Sequence, residues 1–160
     1  MSVDKNQAIV DFLLQSPYFV NAPVFFNFAK SKDDNKQVVT VSNDTITHRP
    51  FIDGSVMKRY TFTIYDYRSI SYNPIIQAPG YPDENIEEMS KVQELIDWIR
   101  EQAESRNFPN FGADCEVDSM LVLTDNPVLS GVDTSLQPVL ARYSISIQID
   151  YIDNAKKAWR

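Results

Sequence analysis

The sequence contains few of the residues from which many enzyme and metal sites are built. Of its 160 residues, one is cysteine, one is histidine and four are glycine. The single cysteine, Cys115, excludes an internal disulfide framework and a zinc site made of cysteines. The single histidine, His48, excludes a metal site made of several histidines. The glycines are isolated, so no glycine-rich phosphate-binding loop is present; they are Gly54, Gly80, Gly112 and Gly131.

Long apolar runs are absent as well. No run of about 18 consecutive apolar residues, the length that spans a bilayer, occurs in the sequence. The N-terminus also lacks the order of basic, then apolar, then small residues that marks a secretory signal. We therefore expect a protein that is made soluble in a reducing compartment.

Positive charge is in deficit. The chain has 15 lysines and arginines against 22 aspartates and glutamates, which gives a net charge of −7. The sequence pI is about 4.6. A nucleic-acid-binding face needs clustered basic side chains to displace counterions from phosphates. The charge balance therefore argues against a surface that grips DNA.

Two single residues are candidates for chemistry, and each has a simpler structural interpretation. His48 lies in the polar segment 43–50 and is interpreted as a solvated loop histidine. Cys115 is followed by Glu116, whose negative charge would raise the pKa of the thiol instead of activating it. A structural cysteine is therefore favoured.

A row of carboxylates is the third candidate. Asp114, Glu116 and Asp118 alternate along one predicted strand, so their side chains would lie about 7 Å apart on one face. Oxygen ligands of this kind suit a divalent ion. The spacing does not match a calcium-binding loop, however, and a solvated acidic stripe is favoured. We predict no enzyme activity, no metal and no cofactor.

The longest regular pattern predicts a helix over 83–106. Its apolar residues recur at steps of three and four and form one stripe; they are Ile86, Met89, Val92, Leu95, Ile96, Ile99 and Ala103. Asn85 and Glu88 have the spacing of a capping box, and Asn107 and Pro109 end the pattern. A shorter amphipathic helix is predicted over 4–15.

Five segments have the pattern of β-strands. They are rich in β-branched and aromatic residues or alternate between apolar and polar side chains, and they lie at 23–29, 37–42, 55–67, 114–123 and 139–151. The connections 43–54 and 124–138 contain turn residues and are predicted to be loops. No internal repeat is apparent.

These elements predict an α+β fold. A largely antiparallel sheet of about five strands would carry the long helix across one face, with the short helix at the N-terminus. The length and a hydrophobic content of 43% fit one domain with a sizeable core. We place this domain at 1–152 and treat 153–160 as a C-terminal extension.

The order of several short motifs resembles a known family. Along the chain they are Lys58-Arg59-Tyr60-Thr61-Phe62, Asn85-Ile86-Glu87, Trp98-Ile99-Arg100-Glu101-Gln102 with Phe108-Pro109, and Ala141-Arg142-Tyr143 with Tyr151. This succession is similar to that of the minor capsid or tail terminator proteins of long-tailed bacteriophages. The loop 124–138 is longer than expected for that family and the residues after 152 form an extension, so the family's contacts are not transferred to these segments.

The resemblance implies a structural virion protein of the head–tail neck, made in the host cytoplasm. Its subunits would form a homohexameric ring on the head-proximal end of the tail, where the ring stops tail-tube polymerisation and joins the tail to the head. The implied partners are the tail tube protein and the head-completion or connector protein, and no membrane is involved. DNA would pass through the lumen without specific binding, since six copies carry a charge of about −42, six times that of one chain.

Candidate interface residues for this role are charged and aromatic side chains in the predicted loops, in two strands and in the tail. They are His48, Arg49, Phe51, Arg59, Asp125, Asp133, Arg142 and Trp159. Tyrosine, tryptophan and arginine are enriched at protein interfaces, which favours side chains of this kind.

Alternative functions stay open at this point. Another neck component, either a head-completion protein or a tube-like protein, shares nearly all of these features. A small-ligand binding module would instead enclose an aromatic-lined pocket between the helix and a curved sheet. An enzyme that uses the acidic row with a metal is the least favoured hypothesis.

Overall fold

The computed structural model describes residues 4–19, 24–26, 35–40, 46–69, 84–133 and 140–155. Two α-helices and a short 3-10 helix are present in these ranges: α1 Lys5–Leu13, the 3-10 helix Pro17–Phe19 and α2 Glu84–Glu104. The strands are β1 Val24–Phe26, β2 Asn35–Thr40, β3 Ile46–Pro50, β4 Val56–Ser69, β5 Cys115–Val122, β6 Val128–Asp133 and β7 Leu140–Asp153.

Both predicted helices are present. The Asp4 side chain caps α1 by accepting a hydrogen bond from the backbone N–H of Asn6 at 2.9 Å. Helix α2 begins at Glu84, so Asn85 lies inside the first turn and not at the N-cap where the capping box would require it. The segment 69–82, with prolines at 74, 79 and 82, is predicted to be an irregular arm that leads into α2; Ser69 ends β4, and residues 70–83 lie outside the described part of the chain.

One seven-stranded sheet contains all the described strands. Five strands follow the order β1-β2-β4-β7-β5, while β3 pairs with β4 and β6 pairs with β7. Only the β1–β2 pair is parallel among these pairings. The two 14-residue strands β4 and β7 pair along their whole length. The predicted α+β class with a largely antiparallel sheet is therefore confirmed.

Two segments that were predicted to be loops contain strands. β3 lies within the predicted loop 43–54 and pairs with the start of β4, and β6 lies within the predicted loop 124–138 and pairs with the start of β7. Each is short and polar or contains glycine, so its strand conformation comes from pairing with a long neighbour. Because β6 continues the line of β5 along β7, the connection between these two strands shortens to 123–127. Residues 134–139 lie outside the described part.

The sheet contains an internal repeat that the sequence analysis missed. The second half has the order α2, β5, β6, β7, and the first half has α1, β2, β3 and β4 in the same order, with the 3-10 helix and β1 inserted between α1 and β2. The sequence of β4 at 59–64, Arg-Tyr-Thr-Phe-Thr-Ile, recurs in β7 at 142–147 as Arg-Tyr-Ser-Ile-Ser-Ile. The two copies run antiparallel and cross where Thr63 pairs with Ser146. Their hydroxyl oxygens lie 3.3 Å apart, at the centre of this local two-fold relation.

One hydrophobic core unites both helices with alternate side chains of β4 and β7. Its fully buried members include Ile9, Phe12, Leu13, Leu95, Ile96, Ile99, Phe62, Ile64, Ile145, Ile147 and Tyr151. Three aromatic rings pack edge to face in this core, with centroid distances of 5.8 Å from Tyr60 to Phe111 and 5.2 Å from Phe111 to Tyr151. The core fixes which side of the sheet points away from the helices.

Candidate interaction surfaces

The side of the sheet that alternates with the core is called the outward face here. It is formed by every second residue of the two long strands, namely Met57, Arg59, Thr61, Thr63, Tyr65 and Tyr67 of β4 and Arg142, Ser144, Ser146, Gln148, Asp150 and Ile152 of β7. Apart from the buried Thr63, all of these residues are half-buried. The outward face is therefore rich in hydroxyl and amide groups, with charged residues near its ends.

Arg59 is held in place at one end of the outward face. Its Nε lies 2.9 Å from Oδ1 of Asp150 and its Nη2 lies 3.3 Å from Oδ2, so the guanidinium binds the carboxylate through two nitrogens. The hydrogen bond to Asp150 raises the pKa of Arg59 above its ordinary value. Arg59 is one of the predicted interface residues, and its charge is balanced within the chain.

Arg142 occupies the equivalent position in the second repeat but has different partners. Its Nε donates to the hydroxyl of Ser130 at 3.0 Å, and its Nη2 donates to the backbone oxygen of Ser130 at 3.2 Å. The guanidinium carbon lies 4.8 Å from the ring centroid of Tyr65. The cation–π contact joins β7 to β4, and the hydrogen bonds to Ser130 join β7 to β6.

Three apolar side chains form an exposed row along the β5–β6 edge, which we call the apolar strip. They are Leu121, Leu123 and Val128, which are 54%, 50% and 48% exposed. Leu121 pairs with Gln148 and Val128 pairs with Ser144, so both share the outward face. The sequence analysis did not select these residues, although Leu121 and Leu123 alternate with the buried Val122.

Asp125 lies in the short connection between Leu123 and Val128. Its side chain is 95% exposed, and its Oδ1 accepts a hydrogen bond from Nη2 of Arg100 at 2.9 Å. The predicted interface residue Asp125 therefore stands beside the apolar strip and presents a negative charge to solvent.

The turn between β3 and β4, residues 51–55, is called the hairpin tip. The backbone N–H of Phe51 donates to the oxygen of Ser55 at 2.9 Å, and Asp53 accepts from the backbone N–H of Ser55 at 3.0 Å. Gly54 has a φ of 90°, which few other residues adopt. Ile52 is fully exposed at this well-bonded turn, and the exposed Arg49 stacks on the Phe51 ring at 5.6 Å.

A polar cluster is buried on the inner side of the sheet. Asp66 is completely buried, Arg68 is 9% exposed, and Arg68 Nε lies 3.4 Å from Asp66 Oδ1. The Tyr18 hydroxyl donates to Asp66 and accepts from Arg68. Burial and the charge of Asp66 raise the pKa of Tyr18 far above its ordinary value. The signal in the sequence was the inward alternation of Tyr60, Phe62 and Ile64, which continues into Asp66 and Arg68.

The acidic row differs from its predicted regular geometry. Asp114, Glu116 and Asp118 are all exposed, but β5 shifts register between Val117 and Ser119, so Asp118 lies at an irregularity. No group of three or more histidine, cysteine, aspartate or glutamate side chains is arranged to hold a metal ion within the described ranges. Burial raises the pKa of the Cys115 thiol, so the predicted direction is correct although burial and not Glu116 is its main cause.

A groove of about 300 Å³ lies between α1 and the segment 108–110. It is open to solvent and lined about equally by polar and apolar groups, with Asp4, Gln7 and Asp11 on one wall and Phe108 on the other. The aromatic residues Tyr60, Phe111 and Tyr151 pack against one another in the core. The ligand-module hypothesis predicted an aromatic pocket between helix and sheet, whereas this groove lies along α1.

The predicted interface residues are distributed over several surfaces. Phe51 lies in the hairpin tip with Arg49 next to it at the end of β3, Arg59 and Arg142 lie near opposite ends of the outward face, and Asp125 lies beside the apolar strip. For the other three the structure describes less: it gives only the backbone of His48 and Asp133, in β3 and β6, and Trp159 lies outside the described residues.

No family model matches this sequence, and no curated protein matches it. Neither helix in the described part of the chain is both long and apolar enough to cross a membrane.

Proposed function

We propose that the chain is a structural virion protein that forms a ring at the head–tail neck of a long-tailed bacteriophage. The ring acts as the tail terminator: it binds the last ring of the tail tube, stops polymerisation and presents a surface to the head connector. The motif order at 58–62, 85–87, 98–109 and 141–151 supports this proposal through its resemblance to tail terminator proteins.

The structural observation that carries the proposal is the exposed apolar edge next to a half-buried polar face. Leu121, Leu123 and Val128 expose about half of their side chains on the side of the sheet opposite to the core. Polar faces with neighbouring apolar groups are typical of surfaces that contact other proteins, where an apolar centre is surrounded by a polar rim. A subunit that meets like copies and two different rings needs several surfaces of this kind.

The charge of the chain suits a channel for DNA. A ring of six copies would carry a charge of about −42, six times the −7 of one chain. Such a ring repels phosphate, so the duplex slides through the lumen without being held. This argument concerns passage of DNA only and assigns no residue to the lumen.

The proposal is tested by adding purified protein to isolated tail tubes of the parent phage. We expect the protein to bind one end of each tube and to prevent addition of further tube subunits, as seen in electron micrographs and by light scattering. Native mass spectrometry of the protein alone is expected to give one closed species of six chains. Binding along the whole tube wall, or continued growth of treated tubes, would contradict the proposal.

A second neck component is distinguished by the same experiment. A head-completion protein binds the isolated head connector and leaves tube growth unchanged, whereas a terminator arrests growth. A tube-like protein adds to the growing end and is itself extended.

A further inference from the structure

The hairpin tip and the apolar strip lie at opposite edges of the sheet. β3 pairs with β4 on the side away from β7, while β5 and β6 pair with β7 on the side away from β4. Three strand spacings, roughly 14 Å, separate the two edges. Ile52 also lies beyond the strand end at Val56, whereas Val128 pairs with Ser144 opposite Tyr65. The two features therefore cannot touch within one chain.

The hairpin tip has the properties of a projecting apolar anchor. Ile52 is fully exposed, and the turn that presents it is fixed by the Phe51–Ser55 backbone bond and by the Asp53 side chain. A fixed turn loses little conformational entropy when it binds, which favours affinity. The anchor is small, so it fits a shallow apolar surface.

The apolar strip offers a shallow surface of that chemistry. Its three aliphatic side chains are each about half-exposed and lie in line along β7. Two bulges, between Val117 and Ser119 and between Leu129 and Gly131, interrupt the β5–β6 edge. Bulges disfavour the addition of a further strand, so contact through side chains is expected here.

Each feature has one exposed charged side chain beside it, and these two charges are opposite. At the hairpin tip the Asp53 carboxylate is half-buried and bonded to Ser55, while the exposed Arg49 at the end of β3 lies over the Phe51 ring. Asp125, with a side chain that is 95% exposed, lies between Leu123 and Val128. Arg100 donates to Oδ1 of Asp125, so a second cation can approach the other carboxylate oxygen. Apolar and charged groups are thus complementary between the two edges.

We propose that the hairpin tip of one copy of this chain binds the apolar strip of the next copy. Ile52 lies on Leu121, Leu123 and Val128 of its neighbour, and Arg49 faces the neighbour's Asp125. The contact joins two different surfaces, so it is head-to-tail and generates a ring when the rotation closes. This inference rests on the proposed ring-forming function and names the surfaces by which the copies meet.

The first test compares single aspartate substitutions at exposed apolar positions. Ile52→Asp and Leu123→Asp should each raise the concentration needed for assembly at least about tenfold, measured by native mass spectrometry and analytical ultracentrifugation. Ile86→Asp is the matched control, because Ile86 is 58% exposed but lies on α2. The control should assemble like the wild type. Thermal unfolding monitored by circular dichroism checks that all three variants are folded.

The second test mixes the two defective variants. The Ile52→Asp copy retains an intact apolar strip, and the Leu123→Asp copy retains an intact hairpin tip. One intact contact can form between them and no further copy can add, so the mixture should give a one-to-one pair and nothing larger. A symmetric contact between copies would not produce this outcome.

The third test exchanges the charges of Arg49 and Asp125 and depends only on whether these two residues pair between copies. Arg49→Asp and Asp125→Arg should each weaken assembly, and a chain that carries both substitutions should regain most of it. Loss of the Arg100 contact in Asp125→Arg has little effect on folding, since exposed ion pairs contribute little. No recovery in the double variant would contradict the pairing of Arg49 with Asp125.

Several results would overturn the inference. Wild-type protein that stays monomeric up to the order of 1 mM, single variants that keep the wild-type mass, or a mixture that contains only monomers would each do so. The proposed function fails independently. If the wild type forms rings through this contact but tail tubes grow unchecked in its presence, the contact is correct and the terminator function is wrong.

Discussion

At the scale of single residues, the buried ion pair of Asp66 and Arg68 should be costly to disturb. Asp66 is fully buried and its Oδ1 lies 3.4 Å from Arg68 Nε. We predict that Arg68→Met lowers the free energy of unfolding by about 3–5 kcal/mol, because it removes a guanidinium from beside a fully buried carboxylate. Urea denaturation measures this change.

Two controls make this prediction specific. Arg59→Met breaks the Arg59–Asp150 pair on the same strand, where the arginine side chain is 32% exposed, and should cost much less. Adding Asp66→Asn to Arg68→Met should recover part of the loss, because the buried charge is removed. Equal losses for the two arginine variants, or no recovery, would show that the charge of Asp66 is not the cause.

A second residue-scale prediction concerns pH. Burial raises the pKa of Asp153, but hydrogen bonds from the backbone N–H of Ala155 and from Lys58 Nζ outweigh it, so the net pKa lies below the ordinary 3.8. The Lys58 nitrogen lies 2.9 Å from Asp153 Oδ2. A carboxyl with a lowered pKa stabilises the fold above its unfolded pKa and loses this effect as the pH falls through its folded value.

The melting temperature of Asp153→Asn should therefore lie below that of the wild type at about pH 6, and the difference should shrink below about pH 4. The difference is expected to be small, since the side chains of Lys58 and Asp153 are 31% and 21% exposed and salt screens them. Asp125→Asn, with a 95% exposed side chain, serves as the control. A difference that stays constant to pH 2 would rule out the ionisation of Asp153 as its source.

At the scale of elements, helix α2 depends on its buried stripe. We predict that Ile96→Ala lowers the free energy of unfolding by about 2–5 kcal/mol, because Ile96 is fully buried and its loss leaves a cavity. Ile86→Ala makes the same change on the same helix, where the side chain is 58% exposed, and should stay within about 0.5 kcal/mol. Chemical denaturation of both variants gives the comparison, and similar losses would contradict the burial of the stripe.

The hairpin tip also depends on a single backbone conformation. Gly54 has a φ of 90°, so Gly54→Ala is expected to destabilise the protein by about 1 kcal/mol or more. In Gly131→Ala the new methyl group would meet the Arg142 side chain at 3.6–3.8 Å, an ordinary contact, and little change is expected. Thermal unfolding should rank the two variants in this order, and the reverse order would show that the turn tolerates a side chain.

Sequence periodicity was sufficient for the elements that carry their own pattern. The stripe of α2 and the alternation of β4 and β7 were visible because each runs over many residues. β3 and β6 were missed because they are short, because β3 is mostly polar and β6 contains a glycine, and because both owe their conformation to pairing with a neighbour. The repeat at 59–64 and 142–147 was missed because Thr/Ser and Phe/Ile exchanges conceal it, and only the register at Thr63 and Ser146 brings the copies together.

The candidate surfaces were predictable only in part. Arg49, Phe51 and Asp125 were predicted as interface residues from their residue types. The exposed apolar side chains next to them, Ile52 and the apolar strip, were not predicted. Ile52 is an ordinary apolar residue in the sequence, and its full exposure follows from its place in a turn beyond the sheet. Exposure of this kind depends on tertiary structure, which local patterns do not report.

At the scale of the whole molecule, the fold separates the helices from the surface proposed to meet partners. The core packs side chains of both helices with the inward-facing side chains of β4 and β7, while the apolar strip and Ile52 of the hairpin tip are exposed. The local two-fold relation places Arg59 and Arg142 near opposite ends of this face, with different local partners. A subunit that contacts unlike rings above and below benefits from ends that differ.

Under the proposed function, tail length in the parent phage tests the central claim most directly. Particles assembled without the chain should carry tails of variable, excessive length that do not join heads, and supplying the chain should restore one length. Electron micrographs give the length distribution. Tails of normal length that remain joined to heads in the absence of the chain would contradict the proposed terminator function.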